Sequence, residues 1–68
     1  MKYFSTERPV SIGTYPKPQD NHVDAIVNFD EPIFVDAIGR SAWGYIEYAH
    51  QLTAEQAAAY ELIKGKEE

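Results

Sequence analysis

The sequence predicts a small α+β domain: an antiparallel sheet of three to four strands with one short C-terminal helix packed on it. Three observations predict it. Residues 23–29 place Val23, Ala25, Val27 and Phe29 on one face and Asp24, Ile26 and Asn28 on the other, the period-two spacing of a strand. Residues 42–50 form a second run rich in aromatic and branched side chains. Leu52-Thr53-Ala54-Glu55-Gln56-Ala57 carries the start signals of a helix. At 68 residues the chain allows one such domain and nothing larger. We expect the domain over 1–64 and a fraying polar tail over 65–68.

Taken in order, Tyr3 to Thr6 is aromatic and β-prone and predicts a first short strand, ended near Pro9, which lacks a backbone donor. Residues 13–22 hold Gly13, Pro16, Pro18, Asp20 and Asn21, all turn formers, and read as an ordered surface loop. Tyr15-Pro16-Lys17-Pro18 is extended, because a residue before proline is pushed out of the helical region. After the strand at 23–29, Asp30-Glu31-Pro32 reads as a turn. Residues 33–38 fit both a strand and a helix stripe of Phe34, Ala37 and Ile38. Their shortness, their branched and aromatic content and the stop at Gly39-Arg40 favour the strand. In the next strand Trp43, Tyr45 and Glu47 point one way, and Ala42, Gly44, Ile46 and Tyr48 the other. Gly44 is expected where a large neighbour, such as an aromatic ring, lies over the backbone.

The helix begins at Thr53. Its hydroxyl caps the first turn, Gln56 completes a capping box, and Leu52 packs on Ala57 as a staple. Glu55 suits the positive end of the helix dipole. The alanine run carries the helix to about Tyr60 or Glu61. So short a helix does not persist alone, so it must dock on the sheet through some of Leu52, Ala57, Tyr60 and Ile63. Glu61 to Lys64 either ends the helix or adds a short edge strand.

Composition closes several classes. The chain holds 6 lysines and arginines against 11 acidic residues, a net charge of −5. Such an excess of acid opposes direct nucleic-acid binding, which needs basic neutralisation of phosphate. The absence of cysteine excludes disulfides, thiolate zinc sites and cysteine nucleophiles. No apolar run approaches the roughly 20 residues that span a bilayer, and residues 1–8 lack an apolar signal core, so the expected location is cytoplasmic.

Candidate chemistry is sparse. His22 and His50 are the two imidazoles, and His22-Val23-Asp24 can put an imidazole and a carboxylate on one strand face. A metal site needs three or four convergent ligands, so we expect no metal and no cofactor. Asp24, Asp30, Glu31, Asp36 and Glu47 read as a solvated acidic surface rather than an acid–base pair, since a small domain has little room for a tuning pocket. No nucleophile elbow surrounds any serine and no glycine-rich loop is present, so no catalytic residue is expected. Arg8 and Arg40 suit recognition of a carboxylate or phosphate, stacking on an aromatic ring, or internal pairing with Glu7, Asp36 or Glu47. Trp43 and Tyr45 on one strand face suit a partner surface, because aromatics concentrate in binding hot spots. They also suit the core, and scarcity of large apolar side chains favours a buried Trp43, with Tyr45, Tyr48, Phe29 and Phe34 as the other large core candidates.

Several segments together resemble a known family. They are Tyr3-Phe4-Ser5-Thr6-Glu7-Arg8-Pro9-Val10, Gly13 to Lys17, Asn28-Phe29-Asp30, Ile38 to Tyr48, and Leu52 to Leu62. The chain resembles, over nearly its whole length, the small proteins related to defence against restriction A, found in phages and other mobile elements. The most specific piece is the Gly-Arg-x-Ala-Trp-Gly-Tyr segment at 39–45. The resemblance implies a mobile-element accessory role linked to antirestriction and carries no catalytic residues with it. The function expected is therefore a non-enzymatic interaction domain with a protein partner, for which Arg8, Arg40, Trp43 and Tyr45 are the candidate contacts. The alternative is an acidic DNA mimic that occupies a restriction enzyme's DNA channel.

Overall fold

A computed structural model describes residues 1–65. Its elements are β1 (Lys2–Ser5), β2 (Val23–Val35), β3 (Arg40–Tyr48), α1 (Ala54–Ala59) and β4 (Leu62–Lys64). The four strands form one antiparallel sheet in the order β2-β3-β1-β4. The expected α+β class is therefore observed. Residues 61–64, left open between helix end and strand, supply the edge strand β4 after the chain reverses at Glu61, whose φ is 55°.

The register sets what each face carries. Tyr3 stands opposite Ile46 and Lys64, and Phe4 opposite Tyr45 and Ile63. Ile26 stands opposite Ile46, and Val27 opposite Tyr45. One face thus gathers Tyr3, Ile46, Tyr48 and Leu62, and the reverse face Phe4, Val27, Tyr45 and Ile63. The core lies on the first, where Tyr3, Val10, Tyr15, Ile46, Tyr48, Leu52 and Leu62 are all buried. The Tyr3 and Tyr48 rings meet edge to face at 5.8 Å, the favourable aromatic geometry.

Residues 13–22, expected to be a surface loop, form together with residues 6–12 much of the second layer over this core. A helix of six residues, none of them buried, is too small to cover a four-stranded sheet, so Val10, Tyr15 and Pro16 fill the remainder. The segment is held by side chains that imitate a strand neighbour. Asn28 accepts from the Val10 N–H and donates to its carbonyl, each at 2.8 Å. Asn21 does the same with His50, at 2.7 and 2.8 Å. The Tyr48 hydroxyl donates to the Pro16 carbonyl at 2.6 Å. These bonds satisfy backbone groups that burial would otherwise leave unpaired.

β2 corrects the expected turn at Asp30-Glu31-Pro32. The strand runs through these residues for 13 positions, with an irregularity in its pairing to β3. Asn28 pairs with Gly44 and Ile33 with Ala42, so Phe29 to Pro32 stand against Trp43 alone. An edge strand tolerates this because extra residues and a missing proline donor disturb only one ladder. Of the expected strand at 33–38, Ile33 to Val35 belong to β2, and residues 36–39 turn the hairpin. There Gly39 adopts φ 70° and donates to the Val35 carbonyl at 2.9 Å.

The helix start follows the sequence closely. Thr53 accepts from the Gln56 N–H, and the Gln56 side chain accepts from the Thr53 N–H, both at 3.0 Å. Leu52 is buried and Ala57 packs against the same cluster. Gly65, expected to open the tail, is buried and donates to the Lys2 carbonyl at 2.9 Å. The rest of that expected tail, 66–68, lies outside the described residues.

Candidate functional site

Among the described residues, α1 and residues 6–22 cover one face of the sheet. The reverse face is aromatic and, Phe4 apart, less covered. Tyr45 stands at its centre, with the Phe4 ring at 5.5 Å and the Phe29 ring at 6.3 Å. The Lys2 ammonium lies 4.7 Å from the centroid of the Tyr45 ring, within cation–π range. Phe4 is buried on this side because Gly65 packs on it: a Cβ at Gly65 would stand 2.8 Å from the Phe4 ring. Trp43, Tyr45, Phe29, Val27 and Ile63 are half-buried.

This corrects the expectation that Trp43 closes the core. The indole shares the open face with Tyr45, while Tyr3, Tyr48 and Ile46 are the largest fully buried side chains. The reason is strand parity: Trp43 alternates with Ala42, Gly44, Ile46 and Tyr48, the members of β3 that face the core. Phe29 and Tyr45 also stay half-buried, and Phe34 is 61% exposed, so only Tyr48 of the five expected large core residues is buried. At Gly44 the close neighbour is backbone rather than an aromatic ring: a Cβ would fall 2.2 Å from the Val27 carbonyl oxygen and 3.0 Å from the Asn28 Cα.

The two arginines are elsewhere. Arg8 pairs with Glu61 at 2.6 Å, and Arg40 pairs with Glu7 at 3.4 Å. Because Glu7 and Arg8 are adjacent, the four charges alternate across the end of the sheet where β3 and β4 begin. They tie loop, β3 and helix end together rather than joining Trp43 and Tyr45. The pairing of Arg40 with Glu7 is one of the internal pairings the sequence offers, whereas Arg8 finds Glu61, 53 positions along the chain. The side chains that sequence reasoning missed at the open face are Lys2, Phe4, Val27 and Ile63. The signal for them is strand parity, which becomes usable only when the register between strands is known.

His22 Nε2 and Asp24 Oδ1 approach to 2.8 Å on the exposed start of β2. Among the described residues no three metal-ligating side chains converge. Two shallow grooves flank the Pro18–Asn21 segment. One, of about 230 Å³, is lined by Tyr15, Lys17 and Val23, and the other, of about 320 Å³, by His50, Thr53 and Gln56. The Tyr48 phenol has its pKa pushed up, chiefly by burial and then by the neighbouring Tyr15, Tyr60 and Tyr3. It is therefore a hydrogen-bond donor fixed in its neutral form. Among the described residues no helix is long and apolar enough to cross a membrane.

A one-sided α+β domain with an open aromatic sheet face is the class that fold and site define. The model of the family described as defence against restriction A C-terminal matches residues 1–67, and the chain belongs to that family. Neither a curated protein nor a solved structure matches the chain. The family membership associates the domain with defence against restriction.

Proposed function

We propose that the chain is a non-enzymatic interaction domain of a mobile genetic element, and that it protects incoming DNA by binding a protein of the restriction machinery through its open sheet face. The observation that carries this reading is the one-sided cover: helix and proline-rich segment lie on the core face and leave Trp43, Tyr45 and Phe29 half-buried on the other. Rigid aromatic side chains standing on a sheet lose little conformational freedom on contact, which favours them as anchors. Membership of the defence against restriction A C-terminal family supports the biological setting.

A second reading, the acidic DNA mimic, draws on residues 23–39, which hold Asp24, Asp30, Glu31 and Asp36 and neither lysine nor arginine. Charge density weighs against it. Asp24 and Asp30 are roughly 20 Å apart at ordinary strand rise, whereas duplex DNA carries a charge about every 1.7 Å of its axis.

The test is survival of incoming element DNA in restricting cells that produce the chain, compared with the Trp43→Ser and Tyr45→Ser variants. Variants are admitted only with a native circular dichroism spectrum. We expect protection by the parent chain and its loss in the folded variants. DNA recovered from protected cells is expected to remain cleavable, because nothing is catalysed on it. Absence of protection overturns the restriction-related role, and equal protection by the variants overturns the aromatic face. Inhibition of a purified restriction enzyme that competes with DNA and vanishes with salt would favour the mimic.

A further inference from the structure

β2 is the outermost strand of the sheet and pairs on one side only, with β3. Its other side presents unpaired backbone donors and acceptors, the template on which a further strand adds. Such an edge is ordinarily short or guarded. Here it runs for 13 residues, and its guards are two register shifts, at Val23/Ala25 and at Asn28/Ile33, the second containing Pro32. The stretch between them, Ala25 to Asn28, keeps regular register with Glu47 to Gly44 and so presents a regular outer edge.

The side chains along this edge define what fits. Ile26 is 43% exposed and Ile33 48%, apolar surface that an added strand would cover. The acidic groups set the charge. Asp24 is paired with His22, but among the described residues Asp30, Glu31 and Asp36 have no basic side chain within 4.0 Å. A second copy of this chain, itself at −5, would bring further carboxylates to the same edge, and like charges brought together across strands destabilise pairing.

We propose that the free edge of β2 accepts an extended segment of a partner protein in which lysine or arginine alternates with branched apolar residues. Backbone hydrogen bonds to Ala25–Asn28 supply the affinity. The apolar side chains cover Ile26, and the cations meet Asp30 and Glu31. The proposal rests on the reading of this chain as a protein-binding domain but uses a surface distinct from Trp43 and Tyr45.

The experiment titrates the protein with a nine-residue peptide alternating Lys and Val, followed by amide chemical shifts and amide exchange. Controls are the same peptide with Glu for Lys and one with a central proline. We expect slowed exchange over β2 residues 24–29 and shifts confined to residues 24–31, weakening with salt, with neither control binding. Reversing two charges, Asp30→Lys with Glu31→Lys, should weaken binding by about tenfold at low salt, the worth of two exposed ion pairs. Those sites are exposed, so the variant is expected to fold. Equal response to the acidic peptide, or shifts mapping elsewhere, overturns the proposal. Protection of β2 amides that grows with protein concentration in the absence of peptide also overturns it and assigns the edge to a second copy. Peptide binding at β2 with no protection in restricting cells sinks the restriction role alone, and the reverse outcome sinks the edge alone.

Discussion

Tyr48→Phe removes one oxygen from the joint between the sheet and the proline-rich segment. The residue is 1% exposed, and its hydroxyl donates to the carbonyl of Pro16, itself buried. Phenylalanine fills nearly the same space, so packing changes little, but the Pro16 carbonyl loses its donor where water does not reach it. An unsatisfied buried acceptor costs about 1–3 kcal/mol, a large part of the roughly 3–5 kcal/mol a core of this size supplies. We expect a folded variant with a clearly lower urea midpoint near neutral pH. The effect changes with pH in a defined direction. Burial raises the Tyr48 pKa in the folded protein above the ordinary 10.0. Above about pH 10 the unfolded chain has released this proton and the folded chain still holds it, so stability falls as pH rises, by up to about 1.4 kcal/mol per pH unit. Below about pH 10 this contribution is intact. The variant lacks the group, so its deficit relative to the parent should shrink as pH climbs beyond about 10. Urea unfolding followed by circular dichroism at about pH 7 and about pH 11 measures both effects. An unchanged midpoint at neutral pH would refute the buried bond, and a deficit constant across the range would refute the shielding of the phenol.

Gly44→Ala should cost about 3 kcal/mol, since the added methyl meets β2 backbone on a strand that also carries the Asn28–Val10 clasp. Gly39→Ala, with open space but φ 70°, should cost only about 1 kcal/mol, and thermal melts of the pair would separate steric from conformational cost. Thr53→Ala should lower stability by about 1 kcal/mol through loss of the capping box, read as a shift of the urea midpoint. Glu61→Gly should be neutral or stabilising by about 0.5 kcal/mol in the same assay. It relieves a left-handed backbone conformation and forfeits only an exposed ion pair with Arg8.

What the sequence determined by itself is local. The capping box at Thr53 and Gln56 is legible because its groups lie within one helical turn, and the structure places both bonds as expected. The strands expected at Tyr3–Thr6 and 42–50 follow from branched and aromatic content and are observed at Lys2–Ser5 and Arg40–Tyr48, and the stop expected at Gly39-Arg40 falls at the turn that precedes β3. The two faces of β3 are likewise legible as sets, because side chains alternate along any strand. Which set becomes the core is not local. It depends on where residues 6–22 and α1 come to rest, and they settle on the side of Ile46 and Tyr48, where the Asn28 side chain holds Val10 and the Tyr48 hydroxyl holds Pro16. That choice leaves Trp43 outside the core despite being the largest apolar side chain. The continuity of β2 through Asp30-Glu31-Pro32 was hidden for the same reason: these residues favour a turn locally, and only a place at the sheet edge lets a strand absorb them. The pairings of Asn28 with Val10, Asn21 with His50 and Arg8 with Glu61 span 18, 29 and 53 positions of sequence, and chain spacing carries no trace of such contacts. Periodicity and capping arise from bonds between near neighbours, whereas the open face and the free edge arise from which surfaces the whole chain can cover.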